Sequence, residues 1–533
     1  MRLRSPRSVA VAALLACGFS ALTGFDVARA EDTPPAPEGP ARLGINLGGI
    51  ADWDTEQPFV DFIKMSRPWI SQKQGEGWGK GPDLELDPQG YPTHLDPDCF
   101  VEVPMCTDLK AHFPLGNWTV LYDGKGEVNV KGVTVVSSEP GRIVFQPSYA
   151  QGEFFLRILS TDPADHIHNL HVLIPGAEKT YQTDPFNPSM IARWKGVGCV
   201  RFMDMMNTNG NAQVTWADRP KLDDFSYGMG KGVPVEVLCD LANRLDADAW
   251  FNMPAKADDD YIRNFAQVVK DRLNPRHKAY IEYSNEMWNS MFSQTHYTWD
   301  QGKALGIGPA ERPWEGGGMY YAKRSVEIFK IWEDVFGGHD RLVRVLAWQA
   351  GSNWWTTNIV LPYQDAYKEA DALAIAPYLT VLPRPGDAKL NSDDVAKWTV
   401  DQVLDYVQNT SLPESTKWIT DQKAVADKFH LKLIAYEGGQ HLVGVGGGEN
   451  NPDLTALFQA ANKSPRLGQI YDQYFAAWKA AGGGTFCYFS STGRWSKWGS
   501  WGTMEYADDD PAQSPKYQAL KRFAAGCGQA LGE

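Results

Sequence analysis

A rhythm constrains this chain more than any other feature. From about residue 185 onward, short apolar runs alternate with longer stretches of helical periodicity. The runs are Cys199–Met203, Ala249–Met253, Ala279–Tyr283, Val343–Ala347, Ala372–Ala376, Leu431–Tyr436 and Thr485–Phe489. Between them lie helical segments such as Asp259–Arg272, Tyr321–Phe336 and Leu467–Ala480. Arg42–Leu47 supplies a further strand, which brings the count to eight. Apolar strands that alternate with helices need a parallel sheet covered on its outer face. Eight such units predict an α/β fold, a (β/α)8 TIM barrel. A doubly wound open sheet is the structural alternative.

Between residues 75 and 180 the texture changes. Alternating runs at Trp118–Tyr122, Glu127–Val136, Arg142–Gln146, Glu153–Leu159 and His168–Pro175 are separated by turn signals such as Asp123-Gly124 and Pro140-Gly141. Period-two alternation between turns predicts antiparallel strands. The expected organisation is a barrel formed by 42–74 and 181–533, with an antiparallel β-sandwich (75–180) inserted in it. The alternation of Trp118 and Tyr122 reads as core. Whether the insert binds glycan or braces the barrel is left open by the sequence.

The chain opens with Arg2, Arg4 and Arg7, then an apolar stretch from Val9 to Phe25, then Ala28-Arg29-Ala30. This pattern predicts an export signal over residues 1–30, and 31–41 is a Pro-rich linker. The apolar stretch is interrupted by glycine and followed by Asp26, a poor membrane span, so no transmembrane segment is expected. Leu14-Leu15-Ala16-Cys17-Gly18 loosely resembles a lipoprotein cleavage site, which makes Cys17 the alternative processing point. The signal carries four arginines and one aspartate, so its removal takes the formal net charge from −14 to −17. Such a balance repels nucleic acid, anionic membranes and polyanionic sugars, and is compatible with a neutral polysaccharide or oligosaccharide. Six cysteines remain, an even number that permits disulfides in an exported chain. Cys99 and Cys106 bracket a short Pro-containing segment and are the expected pair. A Cys-x-x-Cys motif and a clustered Cys/His set are both missing from the sequence, so no metal site is expected.

Barrel active sites are built at the C-terminal ends of the strands. The fourth strand closes in Tyr283-Ser284-Asn285-Glu286-Met287-Trp288-Asn289, and the seventh in Tyr436-Glu437-Gly438-Gly439-Gln440-His441. Each delivers one glutamate to the mouth. Two opposed carboxylates are what cleavage of a glycosidic bond requires: one protonates the leaving oxygen, and the other attacks the anomeric carbon or activates water. The bland reading of a single strand-end glutamate is a helix cap or an arginine partner; two of them, on strands four and seven, weaken that reading.

Asn285-Glu286 and Glu437 resemble the signature of clan A glycoside hydrolases, whose best-known branch is family 5. The resemblance covers roughly residues 42–70 and 185–525. It implies a retaining enzyme with Glu286 as acid/base and Glu437 as nucleophile, and with Asn285 on the sugar 2-hydroxyl. It also implies that Arg201, at the end of strand two, holds the nucleophile ionised and lowers its pKa, and that Tyr378, just after strand six, donates its hydroxyl to Glu437. Two positions depart from family 5, which carries histidines where this chain has Ala376 and, at the end of strand three, Trp250-Phe251-Asn252-Met253-Pro254. The chain therefore resembles a divergent clan member, with Asn252 in the space of the missing histidine.

Tryptophan is abundant, at 20 residues. Flat rings with a polar rim stack on sugar faces, and several lie near the expected mouth. Trp288 follows Glu286, Trp355 follows strand five, and Trp495 and Trp498 follow strand eight. The clan resemblance implies that one of the last two floors the −1 subsite, with Trp498 preferred. His441 is read equally as a substrate contact or a loop cap. The expected protein is a monomer that needs no cofactor. Two alternatives stay open, a non-catalytic glycan-binding surface protein and a transglycosylase on the same site. His-Glu-x-x-His, and Gly-x-Ser-x-Gly after a strand, are missing, which argues against protease and lipase chemistry.

Overall fold

The computed structural model describes residues 41–150 and 152–532. The expected export signal, Cys17 and all but the last residue of the linker lie outside the described residues. Eight parallel strands close into a barrel in chain order: Arg42–Asn46, Cys199–Arg201, Asp248–Met253, Ala279–Tyr283, Leu342–Ala347, Ala372–Ile375, Lys432–Ala435 and Thr485–Tyr488. The first strand pairs with both the second (Gly44 opposite Cys199) and the eighth (Gly44 opposite Cys487), which completes the ring. An open sheet is thereby excluded.

The barrel interior is a small core of its own. Cys199, Trp250, Tyr280, Val345, Ala374, Ile434, Tyr436 and Cys487 form one buried cluster, separate from the larger core between strands and helices. The helices follow ordinary end chemistry. The Asp259–Arg272 helix is capped by the Asp258 side chain, which accepts from the Tyr261 N–H, and it has acids in its first turn and bases in its last; both match the helix dipole. The helix expected from Tyr321 starts at Pro313 instead. Gly316-Gly317-Gly318, which depresses helical propensity, lies inside it because the backbone there passes close to the Ser293–Ala304 helix and the strand-five loop. A Cβ on Gly302 would stand 2.7 Å from Gly316, and one on Gly318 would stand 3.3 Å from Trp355.

Between barrel strands one and two the chain leaves the ring to form two four-stranded antiparallel sheets. One orders Ile70–Lys73, Cys99–Met105, Phe154–Thr161 and Gly126–Lys131; the other orders Val133–Glu139, Arg142–Pro147, Trp118–Asp123 and His168–Leu173. The antiparallel strands thus begin at Ile70. Trp118 is fully buried, edge-on to Phe62 at 4.6 Å and to Phe154 at 5.7 Å. Its ring ties the sheets to the segment that emerges from barrel strand one. The insert also reaches the mouth loops. Asp108 pairs with Arg494 at 2.8 Å, and His112 bonds Asp508 at 2.7 Å.

The expected Cys99–Cys106 disulfide is not formed, and all six described cysteines are free thiols. The segment between them is an extended strand, not a loop. Seven residues at about 3.3 Å each separate the two by roughly 23 Å, far beyond the reach of an S–S bond. Among the described residues, no helix is long and apolar enough to cross a membrane.

Gly44 lies between Cys199 and Cys487 in the barrel interior. A Cβ there would meet the Cys487 sulfur at 2.5 Å and the Cys199 carbonyl at 3.1 Å. Gly44→Val should therefore overpack the ring and cost about 1–3 kcal/mol or more, read as a lowered midpoint in denaturant unfolding.

Candidate active site

Arg201 is the last residue of barrel strand two, points inward and is fully buried. Its donors serve four acceptors. Nε (3.1 Å) and Nη2 (2.8 Å) go to Glu282 Oε2, and Nη2 also goes to Asn285 Oδ1 at 2.9 Å. Nη1 goes to Glu437 Oε1 at 2.9 Å and to Asn46 Oδ1 at 3.1 Å. The rings of Trp250 and Tyr436 lie 5.5 and 5.1 Å from the guanidinium. Strands one, two, four and seven are thereby joined through one side chain.

Glu437, two residues past strand seven, is 3% exposed. Its other oxygen, Oε2, accepts from the Tyr378 hydroxyl at 2.8 Å. Burial pushes its carboxyl up, and Arg201 and Tyr378 pull it back without cancelling the rise. The sequence implied a net lowering. The physical difference is burial, which outweighs an Arg201 that Glu437 shares with the buried Glu282.

Glu286 is half-buried, three residues past strand four. Ser284 and Glu286 both hold left-handed backbone, with φ of 59° and 43°, an arrangement that non-glycine residues adopt only when their surroundings fix it. The Glu286 carboxyl accepts from Asn289 Nδ2 at 2.9 Å and from the Tyr436 hydroxyl at 3.2 Å. Among the described residues, no cation is paired with it. Desolvation, and then the charge of Glu437, raise it to about 8. The two glutamates thus meet around Tyr436, which neighbours Glu437 in the chain and bonds Glu286 in space.

Asn285 is held on both sides, because it accepts from Arg201 and donates to Asn209 Oδ1 at 3.1 Å. Asn252 is fully buried and donates to Glu282 Oε2 (2.8 Å) and to the Ser284 carbonyl (2.7 Å). These bonds tie the end of strand three to strand four and to the turn that follows it. His441, 2% exposed, packs edge-on to Tyr378 at 5.6 Å and to Trp501 at 4.8 Å. Burial lowers its pKa to about 4, so the ring is neutral.

The strand-eight tryptophans have different surroundings. Trp495 lies under Lys516 and Lys463 and donates to the Gly502 carbonyl. Trp498 lies under Lys497, and its carbonyl accepts from the Trp501 indole. Trp501 is the ring set against His441, Tyr378 and Phe489. The preceding residue is fixed from beneath, because the Ser500 carbonyl accepts from both buried Lys516 (2.6 Å) and Gln440 (2.8 Å). Trp288 is half-buried beside Glu286, and Trp355 rests on Trp348 and Trp354 along the strand-five loop.

Sequence reasoning missed Glu282, Asn46, Asn209, Asn289 and the role of Tyr436. Glu282 had a signal: a charged residue inside an apolar barrel strand must have a buried partner. The four hydrogen bonds it accepts (two from Arg201, one each from Trp250 Nε1 and Asn252) are that partnership.

No known protein family matches the chain by sequence, and no curated protein matches it. Among solved structures, the GH51 arabinofuranosidase from Xanthomonas axonopodis pv. citri aligns at 14% identity over 58% of this chain and 61% of that one, with a TM-score of 0.36. The N-terminal CBM22-1–GH10 modules of Clostridium thermocellum endo-1,4-β-D-xylanase 10B align at 9% identity over 90% and 98%, TM-score 0.36. A modular endo-β-1,4-mannanase from Cellulomonas fimi aligns at 12% identity over 63% and 64%, TM-score 0.33. These neighbours are glycoside hydrolases. At such scores the barrel assignment rests on the strand order and pairing described above.

Removing one partner of a buried ion pair strands the other. Glu282→Ala should cost about 3–5 kcal/mol, measured by denaturant unfolding, because it leaves Arg201 Nε, Trp250 Nε1 and one Asn252 amide hydrogen without an acceptor.

Proposed function

We propose that this protein is an exported, retaining β-glycoside hydrolase, a divergent clan A enzyme that acts as a monomer on a neutral polysaccharide or oligosaccharide by double displacement. The observation that carries the reading is the asymmetry between its two mouth carboxyls. Glu437 is paired with a guanidinium and a phenol, whereas Glu286 has no cation and is pushed up to about 8. Of the two, Glu286 keeps its proton. That is the division of labour double displacement needs.

In the first step Glu437 attacks the anomeric carbon while Glu286 gives its proton to the departing oxygen. The product is a glycosyl ester on Glu437, and the negative charge beside Glu286 is gone. With that charge removed, Glu286 ionises more readily and serves as base toward water. The water oxygen attacks the same carbon, the ester bond breaks, and both groups return to their starting states. Tyr378 and Arg201 hold the nucleophile in place, and Asn285 presents its remaining amide hydrogen to the sugar. The two carboxyls carry the whole sequence of proton transfers and need no metal or organic cofactor.

A transglycosylase would share every step up to the choice of acceptor. A non-catalytic binder would have no use for a carboxyl held protonated near neutral pH beside an arginine-paired one.

Glu437→Gln should abolish turnover, and Glu286→Gln should reduce it by about 10²–10⁴-fold, in an assay against neutral β-glucans, mannans, xylans and galactans. A pure binder would bind those glycans unchanged in both variants. Proton NMR of the first-formed anomer should show retention; an inverted first product overturns the role of Glu437.

Because the acid must be protonated to act, kcat/KM should fall as pH rises through the Glu286 value near 8, tenfold per unit above it. That alkaline limb should vanish in Glu286→Gln, and a pH–rate profile of both proteins checks it.

A further inference from the structure

A third carboxyl shares the mouth. Asp204 stands three residues after Arg201, in the segment that leaves barrel strand two, and is half-buried. Bare backbone from the strand-one turn covers it. A Cβ on Gly49 would stand 3.3 Å from the Asp204 carbonyl oxygen and 3.8 Å from its Cβ, while one on neighbouring Gly48 would meet nothing within 4 Å. Gly49 thus packs against the Asp204 backbone, and Gly48 borders open space that a larger residue would fill.

The Asp204 carboxylate makes no hydrogen bond to any described residue, in contrast to Glu437 and Glu286, each of which has two partners. Its surroundings oppose its charge. Burial and the nearby Glu437 both raise it, to about 7, with only Arg201 acting the other way. The Arg201 donors are already taken by Glu282, Asn285, Asn46 and Glu437. An apolar or amide side chain would serve the fold better at this position. A polar group kept without a partner in a cleft is explained when a ligand supplies the partner.

We propose that Asp204 is a specificity residue of this site, which accepts hydrogen bonds from hydroxyls of a neutral glycone and excludes glycones that carry a carboxylate. This rests on the hydrolase reading above. Sugar hydroxyls are the donors a carboxylate with free lone pairs can take, and its two oxygens suit a pair of neighbouring hydroxyls. A uronate in the same place would set its charge beside Asp204 and Glu437, with no free guanidinium to offset it.

The test compares the intact protein with Asp204→Asn and Asp204→Ala on neutral β-linked hexose and pentose oligosaccharides and on their uronate-bearing counterparts. In Asp204→Ala, kcat/KM on the neutral sugars should fall roughly 10- to 100-fold for each sugar hydroxyl that is left without its acceptor. In Asp204→Asn the preference for neutral over uronate-bearing substrates should narrow by about tenfold or more. Both variants should melt at or above the parent temperature, since they remove an unpartnered charge that faces Glu437. If the parent cleaves neutral sugars and both variants stay within twofold of it with an unchanged preference, the Asp204 proposal is wrong and the hydrolase reading stands. The proposal is equally overturned if both variants melt several degrees lower, which marks a structural role. A parent that cleaves none of the panel overturns the hydrolase reading itself.

Discussion

One guanidinium organises the mouth of this barrel. Arg201 is fully enclosed, flanked by two aromatic rings, and bonded to side chains from strands one, four and seven. A buried cation is tolerable only where its donors are satisfied, and here each acceptor is itself a residue that must be placed. Asn46 closes strand one, where its amide also donates to the Tyr436 carbonyl at 3.0 Å. Asn285 precedes Glu286. Glu437 is one of the two mouth carboxyls of the proposed site. The requirement that Arg201 be satisfied is thus also the requirement that the site be assembled.

Sharing the guanidinium sets the electrostatics. One oxygen of Glu282 takes two N–H groups and Glu437 receives one hydrogen bond, so Glu437 is held with less counter-charge than an exclusive pair would provide. Glu286 receives none. Glu282, Glu437, Glu286 and Asp204 all lie near this one cation, and burial raises the pKa of each. The neutral His441 ring adds shape beside Tyr378 without adding charge, and Trp501 completes that wall because buried Lys516 and Gln440 fix the turn before it.

Most of the barrel was legible because its signal is periodic. Each of the eight apolar runs became a strand within a few residues of its expected bounds, and the Asp258 cap fixed the start of its helix. What misled was local. Gly316–Gly318 hid eight residues of helix, since close packing between helices, invisible in one sequence, outweighs the poor propensity of glycine. The Cys99–Cys106 pairing failed because Pro104 suggested a loop where the chain is extended. In the site, Glu286, Glu437, Arg201 and Tyr378 were legible from strand ends. Trp501 could not be singled out beside Trp498 and Trp495, because its packing against His441 and Tyr378 depends on loops distant in the chain. Asn46 and Glu282 were hidden inside strands that otherwise read as core.

The position of the insert has a consequence for how the molecule folds. Barrel strand one must pair with a strand about 155 residues later and with another about 440 residues later. Contacts of such sequence separation form late, because the intervening chain must first lose its freedom. The seams beside strand one therefore have the longest chain segments to close, and that strand carries Asn46. A chain with every helix and both sandwich sheets in place still lacks the Arg201–Asn46 bond until strands one and two are joined, so the mouth is complete only when the ring is closed.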